Sequence, residues 1–422
     1  MSLPSYSKYK DSAIEWLGEI PAHWDVRRLK FLLNEPLKYG ANEAAIFDDP
    51  SWPRFIRITD VRSDGTLRDE TFRSIAPESA SGYRLEEGDI LFARSGATVG
   101  KTFQYRSDWG IAAFAGYLIR ARLMKSLNDR YYQLFFNSHP YWEWIRNIFI
   151  QSTIQNVSAE KYGSMIVPLP PLLEQDKIAA FLDRKTAEID TLIARKRRLL
   201  DRLAEKRTAL ITRAVTKGLN PDAPMKDSGI QWLGEIPAHW DVLAIKQVFE
   251  FQNNRRIPIA AAERKSLERT YPYYGASGII DYVDDYIFEE DLMLVAEDGA
   301  NLLSRSTPLA FVARGKYWVN NHAHILKNRF GLLDYWEMLL SVCDFTPFIT
   351  GSAQPKLTKD RLGAIAIPCP PQKEQSDILK LLGPSLERDE LARVLCKKAI
   401  ERLKEYRSAL ITNAVTGQIK VA

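Results

Sequence analysis

Apolar residues recur at a spacing near 3.5 in two long, otherwise charged stretches of the chain. In residues 172–217 the stripe is Ile178, Leu182, Ile189, Leu192, Leu199, Leu203 and Leu210, interrupted by Lys185, Lys196 and Lys206. In residues 372–415 it is Ile378, Leu382, Ala392, Cys396, Ala399, Leu403, Tyr406 and Leu410. The spacing predicts two helices of about 45 residues, each roughly 68 Å long at 1.5 Å per residue. A helix that is polar on most sides needs a partner. Each is the only comparable partner for the other, and a globular segment must bring the chain back between them. An antiparallel coiled coil is therefore expected.

Elsewhere the pattern is that of mixed α/β segments. Residues 54–61 alternate as a strand, and Ser63-Asp64-Gly65 reads as a turn before a short strand at 66–69. Residues 88–94 (GDILFAR) read as a buried strand, 95–97 as a tight turn, 98–105 as the returning strand and 111–123 as one further apolar strand. Asn128 is placed to cap a helix over 129–137, and 139–150 reads as a second helix. A closing strand is expected at 164–167. Later in the chain, 278–283, 291–296 and 318–326 read as strands, 330–343 as a helix and 364–367 as another closing strand.

The chain repeats itself. KDSAIEWLGEIPAHWDV at 10–26 returns at 226–242, changed only at Ala13/Gly229 and Glu15/Gln231. PLPPLLEQ at 168–175 is answered by PCPPQKEQ at 368–375, and RTALITRAVTKG at 207–218 by RSALITNAVTGQ at 407–418. A duplicated unit follows: constant frame, variable insert, constant helix, performed twice. Pro168, Pro170 and Pro171 end the first insert, and Asn220–Pro224 links the repeats. The inserts themselves barely resemble each other. In the frame, Ile14, Trp16, Leu17, Ile20 and Trp24 form an apolar strip, read first as packing and second as a docking surface. Residues before about Lys10 read as a tail.

At 422 residues the chain has room for two or three domains. No run approaches the roughly 20 apolar residues needed to span a bilayer. The start, MSLPSYSKYKDS, lacks the apolar core of a secretion signal. Cys343, Cys369 and Cys396 lack metal-ligand spacing and read as reduced thiols. A cytoplasmic protein is expected. The net charge of +5 permits a polyanion partner without requiring one.

Catalytic motifs fall short. A phosphate loop needs G-x-x-x-x-G-K-[ST], but Ser95 stands where its first glycine belongs in GATVGKT. That run reads better as a hairpin tip, facing either a groove or water. There is no N/D-P-P-Y/F run for adenine methylation. Glu263-Arg264-Lys265 has no acidic partner suited to a metal nuclease. His322 and His324 share a strand face, yet two imidazoles alone make a weak metal site. Residues 195–198 (Arg-Lys-Arg-Arg) read as a solvated helix face or as a contact for DNA phosphates. A recognition protein fits better than an enzyme.

The paired KDSxxxWLGEIPAHWDV entries, PxPPxxEQ borders and R[TS]ALIT-x-AVT helix ends resemble the specificity (S) subunits of Type I restriction–modification enzymes. So do GDILFARSGATVGK in the first insert and PYYGASGIIDYVDDYIF, EDGANLL and VNNHAHIL in the second. The resemblance implies an α+β fold. Two mixed α/β target recognition domains are separated by two long helices, paired as an antiparallel coiled coil with an internal pseudo-twofold repeat. The expected division is 1–167 and 220–367 for the domains, with 168–219 and 368–422 for the helices.

The same resemblance implies a non-catalytic subunit in which each domain reads one half of a split double-stranded DNA target. Its helices set the spacing and dock two modification (methyltransferase) subunits, while restriction (endonuclease/translocase) subunits cut. No cofactor is expected on this chain; S-adenosylmethionine, ATP and Mg belong to the partners. Base readout favours polar residues on loops and strand edges. The candidates are Arg94, Ser95, Thr98, Lys101, Ser152, Thr153, Gln155 and Asn156 in the first domain. In the second they are Tyr273, Tyr274, Ser277, Asn301, Asn320, Asn321, His322, Ser352, Gln354 and Lys356. Local loop structure is the competing role for each.

Overall fold

The computed structural model describes residues 4–62, 65–150, 156–264, 269–351 and 354–421. The expected turn at Ser63-Asp64, together with Ser152, Thr153, Gln155, Lys265 and Ser352, lies outside them. The chain divides into two compact units, Met1–Lys196 with Lys398–Ala422, and Arg197–Lys397.

In the first unit the residues expected to be a tail are packed. Strand Tyr9–Asp11 pairs antiparallel with Glu19–Pro21, and Pro4 O accepts from Lys420 N at 2.7 Å. Leu17, Ile20 and Trp24 are buried, while Ile14 and Trp16 are half-buried, so only part of the apolar strip of the frame is core. Strand Asp25–Arg28 pairs antiparallel with Ile166–Leu169 just before the first long helix. The opening and closing borders of the insert are therefore neighbours.

Between them lies a four-stranded antiparallel sheet in the order Lys38–Tyr39, Leu118–Ala121, Ile90–Ala93, Thr102–Gln104. Strands Arg54–Ile56 and Ala112–Phe114 form a separate parallel pair. The strand expected over 111–123 is thus two strands serving two sheets. The break falls where backbones touch: Gly116 N donates to Ala41 O at 2.8 Å, and a Cβ on Gly40 would lie 2.2 Å from Ala115 O. The strand expected over 54–61 also stops early. The Asp60 carboxylate accepts from the Arg57 backbone N–H and guanidinium at 2.8 and 2.7 Å, and this turns the chain into the short helix Ile58–Asp60. Asn128 does cap Asp129–Phe135, accepting from Tyr131 N at 2.8 Å. Helix His139–Ile150 follows as read. The closing strand begins two residues late because helix Ala159–Ser164, capped by Ser158, occupies its start.

The second unit repeats this plan. Strand Met225–Asp227 pairs with Glu235–Pro237, and Asp241–Ala244 with Ala366–Cys369. Its antiparallel sheet runs Phe249–Phe251, Ala323–Asn328, Leu292–Ala296, Ala310–Ala313, in the same sequence-to-space order as the first. Strands Tyr271–Gly275 and Lys316–Val319 form the matching parallel pair, extended by Gly278–Val283 and Phe288–Glu289. The strand expected over 318–326 is again split, with polar Asn320 to His322 forming the turn. Inserts that barely resemble each other in sequence therefore share a topology.

The long helices span Leu172–Lys217 and Gln372–Val415. Within each unit their segments pair antiparallel. In the second unit Lys206 meets Asp389 at 3.2 Å, while a Cβ on Gly218 would lie 2.9 Å from Glu374 Oε1, so numbering falls along one helix as it rises along the other. In the first unit Asp190 accepts from Arg407 Nε at 3.0 Å, and Tyr131 OH donates to Val415 O at 2.8 Å.

The buried stripe differs in detail from the one expected. Leu192 and Leu199 are about half exposed, as is Tyr406, and Ala392 is exposed; Ile193, Leu386, Asp389 and Ile400 are buried instead. A straight α-helix drifts about 20° per heptad from a strict 3.5 repeat, so the buried face steps by four residues where the heptad count steps by three.

Candidate nucleic-acid interface

At the same place in each sheet a buried strand ends in a loop held from two sides. In the first unit Arg94 N donates to Tyr117 O at 3.0 Å and Val157 N donates to Arg94 O at 2.9 Å, while Ser95 bridges Asn156. In the second, Glu297 N donates to His322 O at 2.9 Å and Leu357 N to Glu297 O at 2.8 Å, while Asp298 bridges Lys356. The loops read Arg-Ser-Gly-Ala-Thr and Glu-Asp-Gly-Ala-Asn. Gly96 and Gly299 have φ of +77° and +98°, a conformation that disfavours side chains. A capped helix, Ala159–Ser164 or Lys359–Ala364, follows each bridge. The backbone bonds thus equate Arg94 with Glu297, Ser95 with Asp298, Tyr117 with His322, and Asn156 with Lys356. One cradle presents two sets of side chains.

In the first cradle the Arg94 guanidinium lies over the Tyr39 ring, 4.8 Å from its centroid. The Tyr39 hydroxyl accepts from Ala159 N at 2.9 Å, which fixes the ring. Arg94 Nε and Asn156 Oδ1 are buried without a hydrogen-bond partner among the described residues. Tyr117, on the facing strand end, is 70% exposed. Arg94, Ser95 and Asn156 are therefore brought together. Thr98 lies half-buried in the short helix Gly96–Thr98, and the Lys101 side chain is exposed.

The second cradle is a charge cluster. Glu297 takes Arg256 at 2.5 Å and Lys356 at 3.4 Å, and lies 3.6 Å from His324 Nδ1. Burial pushes the Glu297 carboxyl up, but the bond from Arg256 and the nearby His324, Arg256 and Lys356 charges outweigh it and hold the acid below its usual range. His324 is 1% exposed and its Nε2 lies 2.7 Å from Leu357 O. Burial lowers its pKa against the opposing pull of the Leu357 hydrogen bond and Glu297. Exposed His322 sits 2.8 Å from Asp298. The two histidines thus have different surroundings and partners. Among the described residues no group of three or more His, Cys, Asp or Glu is placed to hold a metal.

The remaining candidates spread out. Tyr273 is 1% exposed, its hydroxyl accepting from Ile259 N and its ring under Arg264, so it is a core side chain. Tyr274 packs between Phe311 and Tyr317. Asn301 is engaged by its own loop, accepting from Thr307 N and Ser306 Oγ. Buried Asn320 accepts from His322 N, whereas Ser277, Asn321 and Gln354 are exposed. Tyr39, Tyr117, Arg256, Glu297 and Asp298 were not singled out by sequence reasoning. The signal available was the Gly-Ala pair shared by the two loops after a buried strand.

Along the first long helix Arg195, Arg197 and Arg198 are exposed. The run Gly96–Thr102 lies between two strands, not between a strand and a helix. No helix among the described residues is long and apolar enough to cross a membrane.

Comparison with known proteins agrees with the duplicated plan. A chain named as the MjaX type I restriction enzyme specificity subunit of Methanocaldococcus jannaschii is 25% identical over 421 residues, 96% of each chain. A type I specificity subunit named for Haemophilus influenzae is 41% identical over 145 residues, 33% of this chain and 35% of that one. A solved structure from work on complex assembly and conformational transition of the type I R-M system has the same fold. Its TM-score is 0.63 at 15% identity, covering 94% of this chain and 98% of that one. The model of the Type I restriction modification DNA specificity domain matches residues 46–201 and again 237–401, and the chain belongs to that family.

Proposed function

We propose that this chain is the DNA-recognition subunit of a Type I restriction–modification complex. Each domain reads one half of a split double-stranded target, and the two long helices set the separation of the halves. The observation that carries this reading is the repeated cradle: one backbone geometry furnished with Arg94, Tyr117 and Asn156 in one domain and with Glu297, His322 and Lys356 in the other. Two unlike half-sites require this combination of a common mount and different contacts.

The helices also dock two modification (methyltransferase) subunits, and restriction (endonuclease/translocase) subunits join through the assembly. Leu381, Leu391, Val394 and Leu395 support this role, because all four are more than half exposed on the second helix and a charged helix has no internal use for them. The chain itself is non-catalytic; S-adenosylmethionine, ATP and Mg act on the partner subunits. Its place of action is the cytoplasm, where the DNA is.

The test is co-expression with a modification subunit, followed by mapping of methylated adenines. A bipartite sequence with a fixed gap is expected. Exchange of the insert between residues 27 and 167 for another should change one half only. Methylation or cleavage by the isolated chain would overturn the reading, as would assembly with the modification subunit after loss of both long helices.

A further inference from the structure

The first cradle holds two polar atoms that the fold leaves without partners among the described residues, Arg94 Nε and Asn156 Oδ1. Finished folds pair the great majority of such buried atoms. Nearby Arg120 also has a buried Nε without a partner, but its guanidinium is held by Glu35, and that of Arg122 by Glu35 and Asp89. Arg94 has no carboxylate within ion-pair distance among the described residues, and its guanidinium carbon lies over the Tyr39 ring, 4.8 Å from the centroid. A guanidinium held over a ring, with no carboxylate on its edge, has two parallel N–H donors to offer. These match the O6 and N7 acceptors of guanine in the major groove. The free carbonyl oxygen of Asn156, on the bridge beside it, requires a donor, which the exocyclic amino group of cytosine or adenine supplies.

We propose that Arg94, positioned by Tyr39, reads a guanine in the first domain's half-site, and that Asn156 accepts an amino hydrogen from a neighbouring base edge. In the second cradle the equivalent position is Glu297, which is occupied by Arg256 and Lys356. That cradle cannot make the guanine contact in the same way. The inference rests on the DNA-recognition reading above and adds which side chains read which edge.

The test uses the full chain in complex with modification subunits, on a duplex library randomised over both half-sites, with methylated molecules sequenced. Arg94→Ala and Arg94→Lys should each lose preference for one guanine in one half-site, by roughly 10- to 100-fold, with the other half-site unchanged. Tyr39→Leu should loosen the same position by a smaller factor, and Lys356→Ala should alter only the opposite half-site. Arg94→Lys keeps the charge over the ring, so loss of preference with an unchanged melting temperature is not a folding effect. Retained guanine preference in Arg94→Lys, or an even loss across all sequences in Arg94→Ala, overturns the assignment and makes Arg94 a phosphate or structural residue. A wild-type complex with no bipartite preference would overturn the recognition reading and this inference with it. Bipartite wild-type preference with unaltered Arg94 variants overturns the guanine assignment alone.

Discussion

The indole N–H of Trp24 donates to Glu174 Oε2 at 3.0 Å, joining the opening frame to the first turn of the first long helix. The same carboxylate lies 2.6 Å from His23 Nε2 and accepts from Tyr6 OH at 2.8 Å. The arrangement is repeated by Trp240 and His239 on Glu374, at 2.9 and 2.8 Å. This explains why the IPAHWDV and PPxxEQ strings occur together: each supplies one side of a latch. Neighbouring Gln175 and Gln375 complete it, donating to Pro170 O and Pro370 O and accepting from Asn128 N and Leu332 N.

Glu174→Ala should lower the stability of the first unit. Trp24 is fully buried, and removing its acceptor leaves the indole N–H unpaired at a cost of about 1–3 kcal/mol. Burial raises the Glu174 pKa, but the bonds from Trp24, His23 and Tyr6 together hold it below its usual range, so Glu174→Gln should also destabilise, by less. Urea unfolding followed by tryptophan fluorescence measures both. A wild-type midpoint for Glu174→Ala would refute the latch.

The helix register gives a paired test. Ile400 is 6% exposed and Tyr406 is 56% exposed. Ile400→Ala should cost about 2–4 kcal/mol, while Tyr406→Ala should stay within about 0.5 kcal/mol. The heptad count along the sequence predicts the reverse order, so calorimetric melts of the two variants decide between them.

Gly417 closes the second helix with φ of +75°, and a Cβ there would lie 2.4 Å from Pro21 Cγ and Cδ. Gly417→Ala combines left-handed strain of about 1–2 kcal/mol with a collision against a proline ring. We expect a loss of about 2 kcal/mol or more. Gly96→Ala, where the added Cβ meets nothing within 4 Å, should pay only the strain. Equal losses would show that Pro21 yields.

Acid should weaken the second unit before the first. The folded pKa of His324 lies below its ordinary 6.5, so between those values the unfolded chain binds the extra proton and stability falls as pH falls. Glu297 is also held below its ordinary 4.5; its contribution is present above that value and is lost as pH drops toward the folded one. Each proton changes stability by at most about 1.4 kcal/mol per pH unit. Unfolding free energies at pH 7.5, 6 and 5 should decline, and His324→Gln should flatten the upper part of the curve. An unchanged slope in that variant would assign the decline to other groups.

The sequence alone determined the features set by local chemistry and by copying. Helix Leu172–Lys217 was legible because Pro168, Pro170 and Pro171 disfavour an earlier start and 3.6-residue periodicity is intrinsic to the backbone. The Asn128 cap needed only its own neighbours, and duplication was visible wherever the two copies must make the same latch. Tertiary contacts decided the rest. Which face of each long helix is buried depends on the partner helix and on the slow drift between 3.5 and 3.6, so Ile193 and Ile400 replace Leu192 and Tyr406 in the stripe. The break at Gly116 exists because two sheets compete for one segment. The site was half legible: Arg94, Asn156, His322 and Lys356 are recognisably polar loop residues, but their equivalence across the repeat is carried by backbone hydrogen bonds between distant segments. Side-chain identity does not encode those bonds, so Tyr39, Tyr117 and Glu297 acquired roles only when the chain was folded.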